Sequence, residues 1–153
     1  VANKVIGILS KSGLEAIPTR VDDIDVSLKE RCKISNNIGA DLFVSIHLNS
    51  HKNKNANGAE VWYYSGSIKG KNFANNILTE LLKHNVEIKS RGLKTCDYFA
   101  TLRYTKCPSV VVEAGFISND IEANYLFSEE CIEASAKAIT EGILNYIGNN
   151  YVR

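Results

Sequence analysis

Leu42-Phe43-Val44-Ser45-Ile46-His47-Leu48-Asn49-Ser50 opens as an apolar run with β-branched and aromatic residues. It is short enough for one buried strand. It then delivers a single imidazole beside small polar residues, just ahead of the polar loop His51–Gly58. In open α/β sheets, ligands bind outside the carboxyl ends of the strands, and His47 stands at such an end. An imidazole there can ligate a metal, shuttle a proton, or simply be a satisfied core group. The stretch points to an α/β sheet and leaves its chemistry to the rest of the chain.

Working back from Leu42, Ser27-Leu28-Lys29-Glu30 reads as a capping box. The helix after it carries Leu28, Cys32 and Ile38 and closes at Gly39. Arg20–Val26 is polar and turn-rich, and Leu14–Thr19 is expected to be a short strand ended by Pro18. Val1, Val5, Ile8 and Leu9 form a helical stripe stopped by Gly13. Strand, helix and strand in this order predict a parallel pair with a right-handed crossover.

Working forward, Glu60–Tyr64 is a strand by composition. Phe73, Ala74, Ile77, Leu78, Leu81 and Leu82 define an amphipathic helix. His84 closes it, where a cation suits the helix dipole, and His51 is read as solvated. Glu87–Lys106 has no strong period and is expected to be loop. The exposed basic groups around Arg91 and Arg103 are surface by default and substrate-facing as the sharper reading. Pro108–Asn119 is the second informative stretch, because Val110-Val111-Val112 reads as a strand buried on both faces. A glutamate follows directly at Glu113, where a carboxylate is costly unless paired or facing a site. Asn119 and Glu122 form a cap pair for a short helix through Leu126. Ser128 caps the last helix, with Ile132, Ala136, Ile139 and Ile143 inward and Gly148 at its end; the tail 149–153 is expected to fray.

The 153 residues suit one compact domain. A net charge of +1 gives no basic field and argues against nucleic acid as a partner. No apolar run is long enough to span a bilayer. The chain contains no methionine and reads as a processed or excised piece. Cys32, Cys96, Cys107 and Cys131 lack C-x-x-C spacing, so they read as scattered small hydrophobes.

Two strand ends thus offer His47 and Glu113. A metal on the first and a proton-carrying carboxylate on the second is the logic of zinc hydrolysis. One histidine does not make a metal site, and two further ligands are required. Thr19-Arg20, Leu28–Arg31, Asn36, Ala40–Asn49, Gly58–Val61 and Pro108–Asn119, taken in order, resemble the zinc-dependent N-acetylmuramoyl-L-alanine amidases of the type 3 family of cell-wall hydrolases. The resemblance runs to the final helix. It implies an α/β fold of three layers, a mostly parallel sheet with helices on both faces. It implies hydrolysis of the amide between N-acetylmuramic acid and L-alanine in peptidoglycan, with zinc as cofactor. By position His47 resembles a zinc ligand and Glu113 the catalytic glutamate. Asn49 resembles part of the site floor, and Arg103 a substrate contact.

The family opens with a strand and a Gly-His-Gly type turn that supply a first histidine ligand, followed by a glutamate ligand. Neither has a counterpart in this chain. Residues 1–153 are therefore expected to be a single amidase catalytic domain, incomplete at its N-terminus, with the other ligands upstream of Val1. The resemblance further implies a secreted or envelope enzyme, or a phage or prophage lysin, with any wall-binding module outside this chain. The competing reading is a non-catalytic relative that binds peptidoglycan or a protein and has lost its metal site. A thiol hydrolase built on Cys107 and His47 is a third.

Overall fold

The computed structural model describes residues 1–151. Four strands form one sheet in the order β1 (Phe43–Asn49), β4 (Ser109–Phe116), β2 (Ala59–Tyr64), β3 (Ser90–Cys96). β1 pairs parallel with β4, and β2 parallel with β3; β2 runs antiparallel to β4. The sheet is therefore mixed, and its one antiparallel seam is central. That reversal brings the beginnings of β2 and β3 to the same end of the sheet as the carboxyl ends of β1 and β4.

Side chains alternate across each strand. Val44 and Ile46, Val110 and Val112, and Val61 and Tyr63 project to one face. There they meet α1 (Ala2–Lys11), α3 (Ile68–His84) and α6 (Glu129–Tyr151), which supply Val5 and Leu9, Phe73, Ile77 and Leu81, and Ile139, Ile143 and Tyr146. On the other face, Val111, Trp62 and Tyr64 pack with Cys96, Phe99 and Leu102 beneath the short helix α4 (Ala100–Tyr104). Helix α2 (Leu28–Asn37) lies against α4. Helices thus cover both faces, as the family resemblance implies.

The helix stops also hold. Gly13 and Gly39 adopt φ of +78° and +64°, and each closes its helix with paired backbone bonds. Leu14 N donates to Leu9 O and Gly13 N to Ser10 O; Ala40 N donates to Ser35 O and Gly39 N to Asn36 O. This is the Schellman arrangement that a glycine past the last turn favours.

Three expectations fail. Leu14–Thr19 forms no strand, and with it goes the predicted crossover pair. Pro18 lacks an amide hydrogen, and the apolar Leu14 and Ala16 instead pack sideways onto the α1 side of the core. Glu87–Lys106 holds both β3 and α4. β3 is a polar edge strand broken by Gly92 at φ +79°, so it carries no alternating apolar signal. Helix α6 runs through Gly148 to Tyr151, and residues 152 and 153 of the predicted tail lie outside the described residues.

Helices α3 and α6 cross at Gly142. A Cβ built there would lie 2.6 Å from Ile77 Cα, against backbone that cannot yield. Gly142→Ala is expected to destabilise the fold by about 1–3 kcal/mol through overpacking, despite alanine's better helix propensity. Gly7 in α1 has nothing within 4 Å of the same position, so Gly7→Ala should stabilise by roughly 0.5–1 kcal/mol. Denaturant unfolding of the two variants checks the opposite signs.

A carboxylate and imidazole cluster at one end of the sheet

His47 and Glu113 occupy the same register position in the parallel β1–β4 ladder. Glu60 stands opposite Glu113 in the antiparallel β4–β2 ladder. Partners across a ladder point to the same face, so all three side chains project together. It is the face packed by α4 around Val111, and Glu113 lies two residues beyond that packing. Neighbouring strands lie about 4.8 Å apart, which places the imidazole and the two carboxylates side by side.

One residue further the register slips. His47 pairs with Glu113, but Asn49 pairs with Phe116, leaving an extra residue in β4. The bulge returns Phe116 to the face that carries Glu113, as bulges beside active sites commonly re-aim side chains. Asn49 Nδ2 donates to Glu60 Oε1 at 2.9 Å, and Asn49 Oδ1 accepts from Ser50 N at 2.8 Å.

Glu60 is almost wholly buried and well satisfied. Its Oε1 accepts from Asn49 and from Trp62 Nε1 at 3.1 Å, and its Oε2 accepts from Arg91 Nε at 2.8 Å. Glu113 is the opposite case. Its Oε2 is buried and has no hydrogen-bond partner among the described residues. Burial, and then the Glu60 charge beside it, push its carboxyl up to about 7. His47 shifts the other way. Though His47 is exposed, desolvation by the protein around it, then the positive charges of Arg31 and Arg20, hold its imidazole below the usual range, which favours the neutral ring near pH 7.

The end of β4 is held by one buried carboxylate. Asn119 Oδ1 accepts from Glu122 N at 3.0 Å, the predicted cap of α5 (Asp120–Leu126). The Glu122 side chain does not reach back to Asn119. It accepts from Gly58 N at 2.7 Å and Phe116 N at 2.6 Å, tying the loop before β2 to the bulge. Glu122→Ala should cost about 1–3 kcal/mol, because two buried amides lose their acceptor. Differential scanning calorimetry of the variant checks the size of the loss.

The remaining expected residues divide. Asn49 joins the cluster. Arg103 does not: it is exposed on α4, its guanidinium 5.6 Å from the Tyr104 ring, near Cys107 and Ser109 at the other end of β4. Cys107 also lies at that far end, its thiol against Ser35 Oγ at 3.7 Å and pushed up by burial. A Cys107–His47 pair is therefore not formed. His51 is exposed as expected, its Nδ1 accepting from Asn53 N. His84 does more than meet a helix dipole. With Glu80 and Glu141 it brings three ligand atoms within 4.8 Å of one another. Glu80 already accepts from Lys83 Nζ and Asn145 Nδ2, and Glu141 pairs with His84 Nε2, in the helical layer on the face away from Glu113. The group is a salt-bridge network of the α3–α6 packing.

The family model for N-acetylmuramoyl-L-alanine amidase matches residues 1–145. The amidase LytC of Bacillus subtilis is 33% identical over 148 residues, covering 95% of this chain and 29% of LytC. The catalytic domain of the amidase CwlV from Bacillus (Paenibacillus) polymyxa var. colistinus superposes with a TM-score of 0.89 at 35% identity, over 95% of this chain and 80% of that one. The CwlD amidase of Clostridioides difficile, solved with the GerS lipoprotein, gives 0.91 at 31% identity, over 97% and 83%.

Proposed function

The chain belongs to the N-acetylmuramoyl-L-alanine amidase family, and from that premise we propose that it hydrolyses the amide between the lactyl group of N-acetylmuramic acid and the L-alanine of the peptidoglycan stem. The observation that carries the residue assignment is the unpartnered Glu113 Oε2 beside a neutral His47. A buried carboxylate oxygen with nothing to accept from is a liability unless a ligand completes it. Glu113, poised near neutrality, takes a proton from the attacking water and returns it to the leaving alanine nitrogen. Glu60 and Asn49 hold the wall behind it.

The residues present fit a divalent cation: His47 offers a neutral imidazole, and Glu113 stands next to it outside the ligand set. A bound zinc ion supplies Lewis acidity towards the scissile carbonyl and lowers the pKa of water. His47 is the one imidazole that the described residues bring to Glu113. We place the remaining ligands on a further strand laid along the free edge of β1. Supporting this, that edge pairs with no other strand among the described residues. It borders a groove of about 1240 Å3 lined by Val5, Leu9, Leu14, Leu42, Val44 and Ile46. Action belongs at the cell envelope, as an autolysin or a lysin. No described helix is long and apolar enough to cross a membrane.

Purified cell wall incubated with the protein should release stem peptides bearing new L-alanine amino termini. A chelator should stop release and added zinc restore it. Undiminished release after exhaustive chelation would overturn the metal assignment, and release of reducing sugar ends in place of amines would overturn the bond assignment.

A further inference from the structure

The amidase reading leaves Arg91 unused, and its surroundings are unusual for a surface arginine. It lies at the start of β3, which the reversed seam carries to the Glu113 end of the sheet. Pairing between β2 and β3 shifts between Ala59 and Val61, and Gly92 follows at positive φ. This irregularity sets Arg91 beside Glu60. Its Nε donates to the buried Glu60 Oε2 at 2.8 Å, and its guanidinium carbon sits 4.8 Å from the centre of the Phe116 ring. A charge-assisted bond on one edge and an aromatic ring under one face fix the plane of the guanidinium.

A guanidinium has five N–H donors, and this one commits only Nε among the described residues. The side chain is 38% exposed while Glu60 is 4% exposed. The terminal nitrogens therefore present a pre-oriented fork at the rim of the cluster. Phe116 is the next ladder position after Glu113 on β4, so the fork hovers within roughly 7–10 Å of the Glu113 carboxylate by strand rise and spacing. An extended peptide residue spans about 3.3–3.6 Å, so that reach is two to three residues.

We propose that Arg91 is a specificity residue that binds a carboxylate of the stem peptide, the one on the residue following L-alanine, and so favours stems carrying a free acid there over stems carrying the carboxamide. The inference rests on the amidase reading for the identity of the peptide. A planar fork matches a carboxylate bidentately, whereas an amide offers it a single acceptor oxygen. Glu60 serves as the counter-charge that keeps the fork in place when no substrate is bound.

The test uses two soluble muramoyl dipeptides that differ only in free acid against carboxamide at the second residue. Calorimetric titration of the full chain with each needs no turnover. The acid should bind at least tenfold more tightly than the amide, and KM for the acid should be lower by a similar factor. Arg91→Gln should bring the ratio to near one. Arg91→Lys, which retains a cation for Glu60, should retain only part of it. Equal affinities of the wild-type chain for acid and amide, or a preference that survives in Arg91→Gln, overturn the proposal; so does failure of the acid to bind at millimolar concentration. Failure of the amidase reading shows separately, as absent cleavage of purified wall by the zinc-loaded protein.

Discussion

Glu113→Gln lowers kcat by roughly two to four orders of magnitude, the usual worth of a positioned general acid–base group, and does so without destabilising the fold. The second half of that expectation separates a functional carboxylate from a structural one. Glu113 is pushed up to about 7 from 4.5 in the folded protein, first by burial and then by Glu60. The folded state thus holds this proton more tightly than the unfolded chain does. Ionisation favours unfolding, so the contribution of Glu113 to stability is fully present below about pH 4.5 and is lost as pH rises through about 7. Glutamine cannot ionise. In metal-free protein, the melting temperature of Glu113→Gln should gain on that of the wild type steadily across this window and level off above it. A variant that keeps its kcat removes Glu113 from the chemistry. A gap that narrows as pH rises would mean that the carboxylate is stabilised by a partner in the fold.

On the proposed metal assignment, His47→Ala binds zinc more weakly. Groups that merely orient a ligand cost 10–100-fold in metal affinity when removed, so loss of a ligand itself should cost roughly a hundredfold or more. Zinc retained after dialysis and the rate of stem-peptide release should fall together. Stability should stay within about 0.5 kcal/mol, the usual range for an exposed position, because His47 is exposed near the end of β1. Full zinc occupancy in the alanine variant would move the metal elsewhere on the molecule. The salt-bridged Glu80–His84–Glu141 group would then be the place to look.

Two of the three strands that carry the cluster were legible because each ends an apolar run on an isolated titratable residue. The valines of β4 leave Glu113 no innocuous environment, and β1 delivers His47 at the same level. Register was not legible, since the β1–β4 pairing is a long-range match that no local pattern encodes. The antiparallel seam escaped for the same reason. Without it, Glu60 near the start of β2 looks like an ordinary strand residue instead of a neighbour of Glu113. Glu60 did carry a signal: like Glu113, it is a lone carboxylate joined to an apolar, aromatic run. Arg91 carried none, because β3 is polar and its place beside Glu60 depends on an irregular pairing. Glu122 was read correctly for its backbone and wrongly for its side chain. A capping glutamate can turn outward whenever better donors approach, and here Gly58 and Phe116 supply them. Arg103 lies away from Glu113, on the side of the sheet near Cys107 and Ser109. Sequence proximity to β4 says nothing about which end of that strand a preceding helix occupies.

The direction reversal at β2 has a consequence for how such a chain can diversify. Segments 50–58 and 85–89 both arrive where Glu113 is, together with the turn after β4, whereas 65–67 and the stretch around 105–108 sit at the far rim. Lengthening either of the first two rebuilds the rim around Glu113 and His47. Lengthening the others enlarges a surface that never meets it. Insertions that retune which wall fragments fit should therefore accumulate in the former pair and be neutral in the latter.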